Sequence, residues 1–172
     1  MKADEQALQR RAKFVALAYK RCVAHFQEQD AGDICKQCVS GVKLACTLRD
    51  LAECSEPDEA VRHLDEAAVC CNTLLDTLRL SIPDIGDLTT DADFLLNAID
   101  SAAKRNRCAG LSENLNAEFV ENAITNWIDD VVRRAAPAQG KTPGLNDDSV
   151  DSQLGLVLHC YIDLLRRRRR AG

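Results

Sequence analysis

In its first segment the chain places Leu8, Ala12, Val15, Tyr19, Cys22 and Phe26 at alternating steps of four and three residues. Such spacing keeps apolar side chains on one seam of an α-helix and would scatter them over both faces of a strand. The stepping returns in Ile34, Cys38, Gly41, Ala45, Leu48 and Ala52, in Leu64, Ala68, Cys71, Leu75 and Leu78, and in Val120, Ile124, Trp127 and Val131. Alternating runs of β-branched and aromatic residues, which a half-buried sheet needs, do not occur. The expected fold class is therefore all-α: a single-domain bundle of five or six helices over residues 1–172, mostly antiparallel to their neighbours.

Punctuating residues divide the seams. The first helix is expected from about Ala3 to Gln29, a turn through Asp30, Gly32 and Asp33, and a second helix from about Ile34 to Glu53. Gly41 sits on the second seam, where it weakens an isolated helix, so it predicts a close approach by a neighbour. Ser55 as cap and Pro57 in the first turn open a third helix that runs to about Leu80. Pro83 and Gly86 break the pattern; a fourth helix from about Thr90 to Cys108 ends at Gly110, and Ser112 or Asn114 starts a fifth. Residues 137–149, rich in Pro, Gly and Asp, are expected to form a mobile loop. The sixth helix is expected from about Val150 to Arg169, with 166–172 as a basic C-terminal tail.

That sixth helix carries Leu154, Val157, Tyr161 and Leu164 on one face, while Leu156, Leu158, Ile162 and Leu165 spread beyond it. So wide an apolar surface implies a central buried helix or one shared with a partner, self-association included. The surrounding apolar run, Leu154 to Leu165, is far shorter than the ~20 residues a bilayer span requires. No membrane partner is expected, and the charged start MKADEQALQRR, which has no apolar leader region, predicts a cytoplasmic chain.

Nine cysteines in 172 residues, without an export signal, predict thiols rather than structural disulfides. The chain has 22 basic and 27 acidic residues, and five of the basic ones are Arg166, Arg167, Arg168, Arg169 and Arg170. The remainder is strongly acidic, which argues against broad binding of nucleic acid or anionic membrane by the body of the domain. The arginine run itself offers a contact to nucleic acid or an acidic protein, or a solvated helix end whose charge favours the negative pole of the dipole.

Cys22 and His25 are three residues apart, as are Cys35 and Cys38. Each pair shares a helix face, and an antiparallel hairpin between them brings the pairs to one level, a donor set suited to zinc. Cys70 and Cys71, with His63 near their face, fall at the level of Cys38 to Gly41 in the next hairpin and extend the sulfur layer, whose soft donors also suit copper. Against this stands the packing of cysteine as a small apolar residue, and Cys22 and Cys38 already lie on the seams. A redox pair of Cys35 and Cys38 lacks the strand-then-helix context it needs. The segment from Ala135 to Thr142 approximates a phosphate-binding loop, but a helix precedes it and Pro143-Gly144 follow it.

No catalytic residues are assigned: His25, His63 and His159 have no nucleophile placed by motif, and no Glu-x-x-His pair marks a di-iron bundle. The expected function is a non-enzymatic protein-interaction module, an adaptor, inhibitor or assembly subunit, contacting a partner through Leu156, Leu158, Ile162, Leu165 and Arg166 to Arg170. Two alternatives stand beside it: a zinc- or copper-binding helical bundle using Cys22, His25, Cys35 and Cys38, and a nucleic-acid-associated subunit using the arginine run.

Overall fold

The computed structural model describes residues 2–24, 31–82, 86–110, 112–139 and 150–171. They form six helices: α1 (Lys2–Ala24), α2 (Ala31–Glu53), α3 (Pro57–Ser81), α4 (Leu88–Cys108), α5 (Glu113–Gln139) and α6 (Val150–Ala171). No strand occurs among the described residues, and the all-α reading holds. One apolar core joins α2 to α6, and Tyr19 of α1 packs against its edge.

Local chemistry explains most of the helix ends. Pro57 occupies the first turn of α3, where its missing N–H costs nothing. Ser55 does not cap that helix: Glu56 holds the cap position without a side-chain bond, and the Ser55 hydroxyl donates back to the Leu51 carbonyl at 2.7 Å. Helix α4 starts earlier than the residue Thr90 because Asp87 caps it, accepting from the Thr90 amide at 3.2 Å and the Thr90 hydroxyl at 2.9 Å. Gly110, at φ 81°, ends the α4 turn, and Ser112 accepts from the Leu115 amide at 3.3 Å to cap α5. Gly32 and Asp33, expected in a turn, lie inside α2. Of the expected turn and loop, Asp30 and 140–149 lie outside the described residues, whereas Pro137 to Gln139 belong to α5.

Cross-helix contacts fix the packing order. Cys22 meets Ser40 and Gly41 meets both Cys70 and Leu74, while Gln9 to Ala16 and Glu59 to Glu66 share a groove with Leu44 to Leu51, so α1, α2 and α3 run as successive antiparallel neighbours. Helix α6 lies antiparallel to α3, through Cys71–Cys160 and Asp65–Arg168, and to α5, through Val132–Gly155 and Glu121–Arg166. It runs parallel to α2, where Arg49 meets Asp163 and Glu53 meets Arg167. Leu154, Val157, Leu158, Cys160, Tyr161, Ile162 and Leu164 are all buried, and at 100° per residue they cover about 200° of the helix circumference. The broad apolar surface of α6 is that of a central helix.

The arginine run is helical to Ala171 and is not a tail appended to the bundle. Four consecutive residues on a helix point in four directions about 100° apart. Each here finds an acceptor on a different helix: Arg166 binds Glu121 of α5 at 3.0 Å, Arg167 binds Glu53 of α2, Arg168 binds Asp65 of α3 at 2.8 Å, and Arg169 binds Asp100 of α4 at 2.7 Å. Arg169 also donates to Asn97 at 3.0 Å, while Asp163 accepts from both Arg49 and Arg167. One turn of α6 thus clasps four helices.

Candidate functional site

The residues expected to meet a partner on α6 divide between core and surface. Leu158 and Ile162 are in the core, Leu165 packs on its edge, and Leu156 is exposed. Arg166 to Arg169 are engaged in the ion pairs above, and Arg170 is exposed. As the fold stands, α6 does not present Leu158 or Ile162 to an incoming chain.

The sulfur layer exists at the level the hairpins require. Cys70 donates to the Gly41 carbonyl at 3.4 Å, Cys71 donates to Cys160 at 3.8 Å, and Cys22 lies 3.4 Å from the Ser40 hydroxyl. Cys46 bonds to Cys160 from the other side, and Tyr19 bonds to Cys70, which ties α1 to the layer. Of the site expected from Cys22, His25, Cys35 and Cys38, the described residues show only the cysteines, which do not converge: Cys22 turns to Ser40, and Cys35 and Cys38 are buried; His25 lies outside the described residues. Among the described residues no three His, Cys, Asp or Glu side chains converge as metal ligands, and no cysteine is in a disulfide.

Burial decides the chemistry of these thiols. It pushes Cys38 up to about 12, with Cys35 and Cys70 adding to the shift, and Cys70 up to about 11 against a lowering bond from Tyr19. The bond from Cys46 lowers Cys160, but its contact with Cys71 and its burial outweigh that and leave it at about 12. At neutral pH these side chains are protonated, and a protonated thiol is not a nucleophile. The layer packs helices together.

A groove of about 440 Å³ runs between α1 and α3 above α2. Its floor is Leu44, Leu48 and Leu51, Ala12 and Ala16 leave room on the α1 side, and Lys13 and Glu66 stand at the rim. His63 enters it from α3 with a buried Nδ1 that has no hydrogen-bond partner among the described residues.

The outward side of α1 carries the most conspicuous feature. Phe14 is 74% exposed and Leu17 is 56% exposed; Phe94, at 76%, and Leu115 are as open to solvent, but only the α1 pair stands one helical turn apart among cations. Arg10, Phe14, Leu17 and Arg21 step by four, three and four along one stripe, on the side opposite Leu8, Ala12, Val15 and Tyr19. Lys13 and Lys20 flank it, and all four cations are exposed. None of the four has an ion-pair partner among the described residues. Helix α1 packs chiefly on α2, which leaves this stripe uncovered. The sequence shows the same spacing, but a search for apolar seams follows the inner stripe and passes over an outer one that alternates apolar and basic residues.

Comparison of the chain with protein-family models, with curated proteins and with solved structures finds no match. No helix among the described residues is long and apolar enough to cross a membrane.

Proposed function

We propose that the protein is a cytoplasmic, non-enzymatic protein-interaction module, an adaptor, inhibitor or assembly subunit, whose contact surface is the outer face of α1. The observation that carries this reading is the pair Phe14 and Leu17, both more than half exposed within a field of unpaired cations. An aromatic and a leucine side chain at i and i+3 form a compact anchor, and flanking Arg and Lys residues steer an acidic partner and select its register. Such a stripe costs solubility unless something covers it.

The odd number of cysteines and the protonated thiols support a reducing compartment. Supporting a non-catalytic role, burial holds the Cys38, Cys70 and Cys160 thiols away from nucleophilic form, and the described residues that line the groove with His63 include no serine, threonine or cysteine.

The test is cross-linking in the native host with the full chain and with a Phe14→Glu, Leu17→Glu variant of unchanged helicity and melting temperature. A discrete set of acidic proteins recovered with the parent chain and lost with the variant supports the assignment. Recovery of the same set by both refutes it.

A further inference from the structure

The outer face of α1 has a counterpart on the same molecule. The exposed face of α3 carries Asp58, Asp65, Glu66 and Asp76, with Val69 at 62% exposure and Val61 half-buried between them. Asp58, Val61, Asp65, Glu66 and Val69 line a shallow depression of about 460 Å³ together with Arg62. Over its length α3 has five acidic and two basic residues, whereas α1 has six basic and two acidic. Among the described residues Asp58, Glu66 and Asp76 have no ion-pair partner, matching the unpaired cations of α1.

The two faces also agree in length. Arg10 to Arg21 and Asp58 to Val69 each cover eleven helical steps, or about 16 Å. Phe14 and Leu17, about 4.5 Å apart along the axis, fall near the middle of the first. The depression extends along the second from Asp58 to Val69, with Val61 and Val69 as its apolar lining. One side thus offers an apolar knob flanked by cations, and the other an apolar hollow flanked by three carboxylates and Arg62.

We propose that the partner of the α1 face is a second copy of this chain, whose α3 face receives Phe14 and Leu17. This rests on the reading of α1 as a contact surface and names its occupant. The contact is heterologous, because α1 of one copy uses α3 of the next, so a pair still has one free α1 face and one free α3 face, and assembly continues head to tail unless a ring closes. The buried surface of a single helix pair is small, which places the association in the weak, reversible class. Its electrostatic part weakens as salt rises, since the screening length falls from about 30 Å at 10 mM to about 3 Å at 1 M.

The experiment is sedimentation equilibrium of the full chain at low and high salt, with two surface variants. Variant one is Phe14→Glu, Leu17→Glu; variant two is Asp58→Lys, Val69→Lys. The parent chain should self-associate at low salt and dissociate at high salt, and each variant alone should associate at least about tenfold more weakly. An equimolar mixture should restore a one-to-one complex, because one variant keeps an intact α3 face and the other an intact α1 face. A parent chain that stays monomeric at low salt, variants that associate as the parent does, or a mixture that stays monomeric each overturn the proposal. If the parent is monomeric and cross-linked partners still depend on Phe14 and Leu17 but not on Asp58 and Val69, self-assembly is wrong and the interaction module stands.

Discussion

Gly41→Ala tests the close approach of α2 and α3, on which the placement of α1 depends. A methyl group at Gly41 would lie 2.6 Å from Cδ1, 3.0 Å from Cδ2 and 3.1 Å from Cγ of Leu74. Carbon atoms in contact sit about 3.5–4.0 Å apart, so the Leu74 side chain must retreat by up to about 1 Å. It is fully buried, so it moves only by displacing its core neighbours. Overpacking of this kind costs about 1–3 kcal/mol. Replacing a mid-helix glycine gains about 1 kcal/mol, so the net expectation is a loss of about 1 kcal/mol. The clash also pushes α3 away from the Gly41 carbonyl, which accepts the Cys70 thiol, and Cys70 in turn holds Tyr19 of α1.

A double-mutant cycle separates the clash from helix propensity. Leu74→Ala alone should cost about 2–5 kcal/mol as a core truncation. On that background the clash is gone, and Gly41→Ala should stabilise by about 1 kcal/mol. The step changes sign between backgrounds, giving a coupling energy of about 2 kcal/mol. Urea unfolding followed by far-UV circular dichroism, at constant m, measures all four corners. If Gly41→Ala stabilises the chain equally in both backgrounds, the close approach at Gly41 is wrong, and with it the argument for how α1 is held.

Replacing Arg166, Arg167, Arg168 and Arg169 together by Gln should lower stability by about 1–3 kcal/mol, since partly exposed pairs contribute about 0.2–1 kcal/mol each. The melting temperature should fall by roughly 2–4 °C per kcal/mol, and an unchanged value would remove the clasp. Cys38, Cys70 and Cys160 have raised folded-state pKa values, so their contribution is intact below the ordinary thiol pKa of about 8.5 and is lost as pH rises towards about 12. Urea unfolding under reductant should therefore show stability falling above pH ~8.5 by up to about 1.4 kcal/mol per pH unit for each thiol; a flat profile contradicts their burial. Asn116 is 9% exposed, with neither end of its amide partnered among the described residues, so Asn116→Leu should stabilise by about 1–2 kcal/mol in the same assay. Loss of stability there would mean that a bound water or ligand satisfies the amide.

Seams, breaks and levels were legible because they depend on spacing alone. Cys38, Cys71, Leu75 and Leu78 lie in the core, and Gly41 faces a neighbour at van der Waals distance, as their positions on the seams imply. What spacing leaves open is the rotation of a helix about its axis and its depth in the bundle. Leu158 and Ile162 fit a partner surface and a central helix equally well, and the neighbours on several sides of α6 decide for the core. Arg166 to Arg169 have the composition of a binding tail, but reach depends on where Glu53, Asp65, Asp100 and Glu121 end up, and these lie on four separate helices. Phe14 and Leu17 escape notice for the opposite reason: apolar residues beside a strong inner seam look like its edge until the missing neighbour is seen.

The two basic segments therefore exchange the roles their composition assigns. Arg166 to Arg169 sit at the end of a helix surrounded by others, where each guanidinium meets a carboxylate within about one side-chain length, and their charge is neutralised inside the molecule. Arg10, Lys13, Lys20 and Arg21 are exposed on a helix with one principal neighbour, and none of them has an ion-pair partner among the described residues. Removing the C-terminal arginines from the charge count makes the body look uniformly acidic, while the exposed positive surface lies at the other end of the sequence. It follows that salt-sensitive binding to any anionic partner should respond to Arg10→Gln and Arg21→Gln, measured as the slope of log affinity against log salt. Arg166→Gln and Arg169→Gln should instead lower the melting temperature and leave that slope unchanged, and the reverse pattern would return the binding surface to α6.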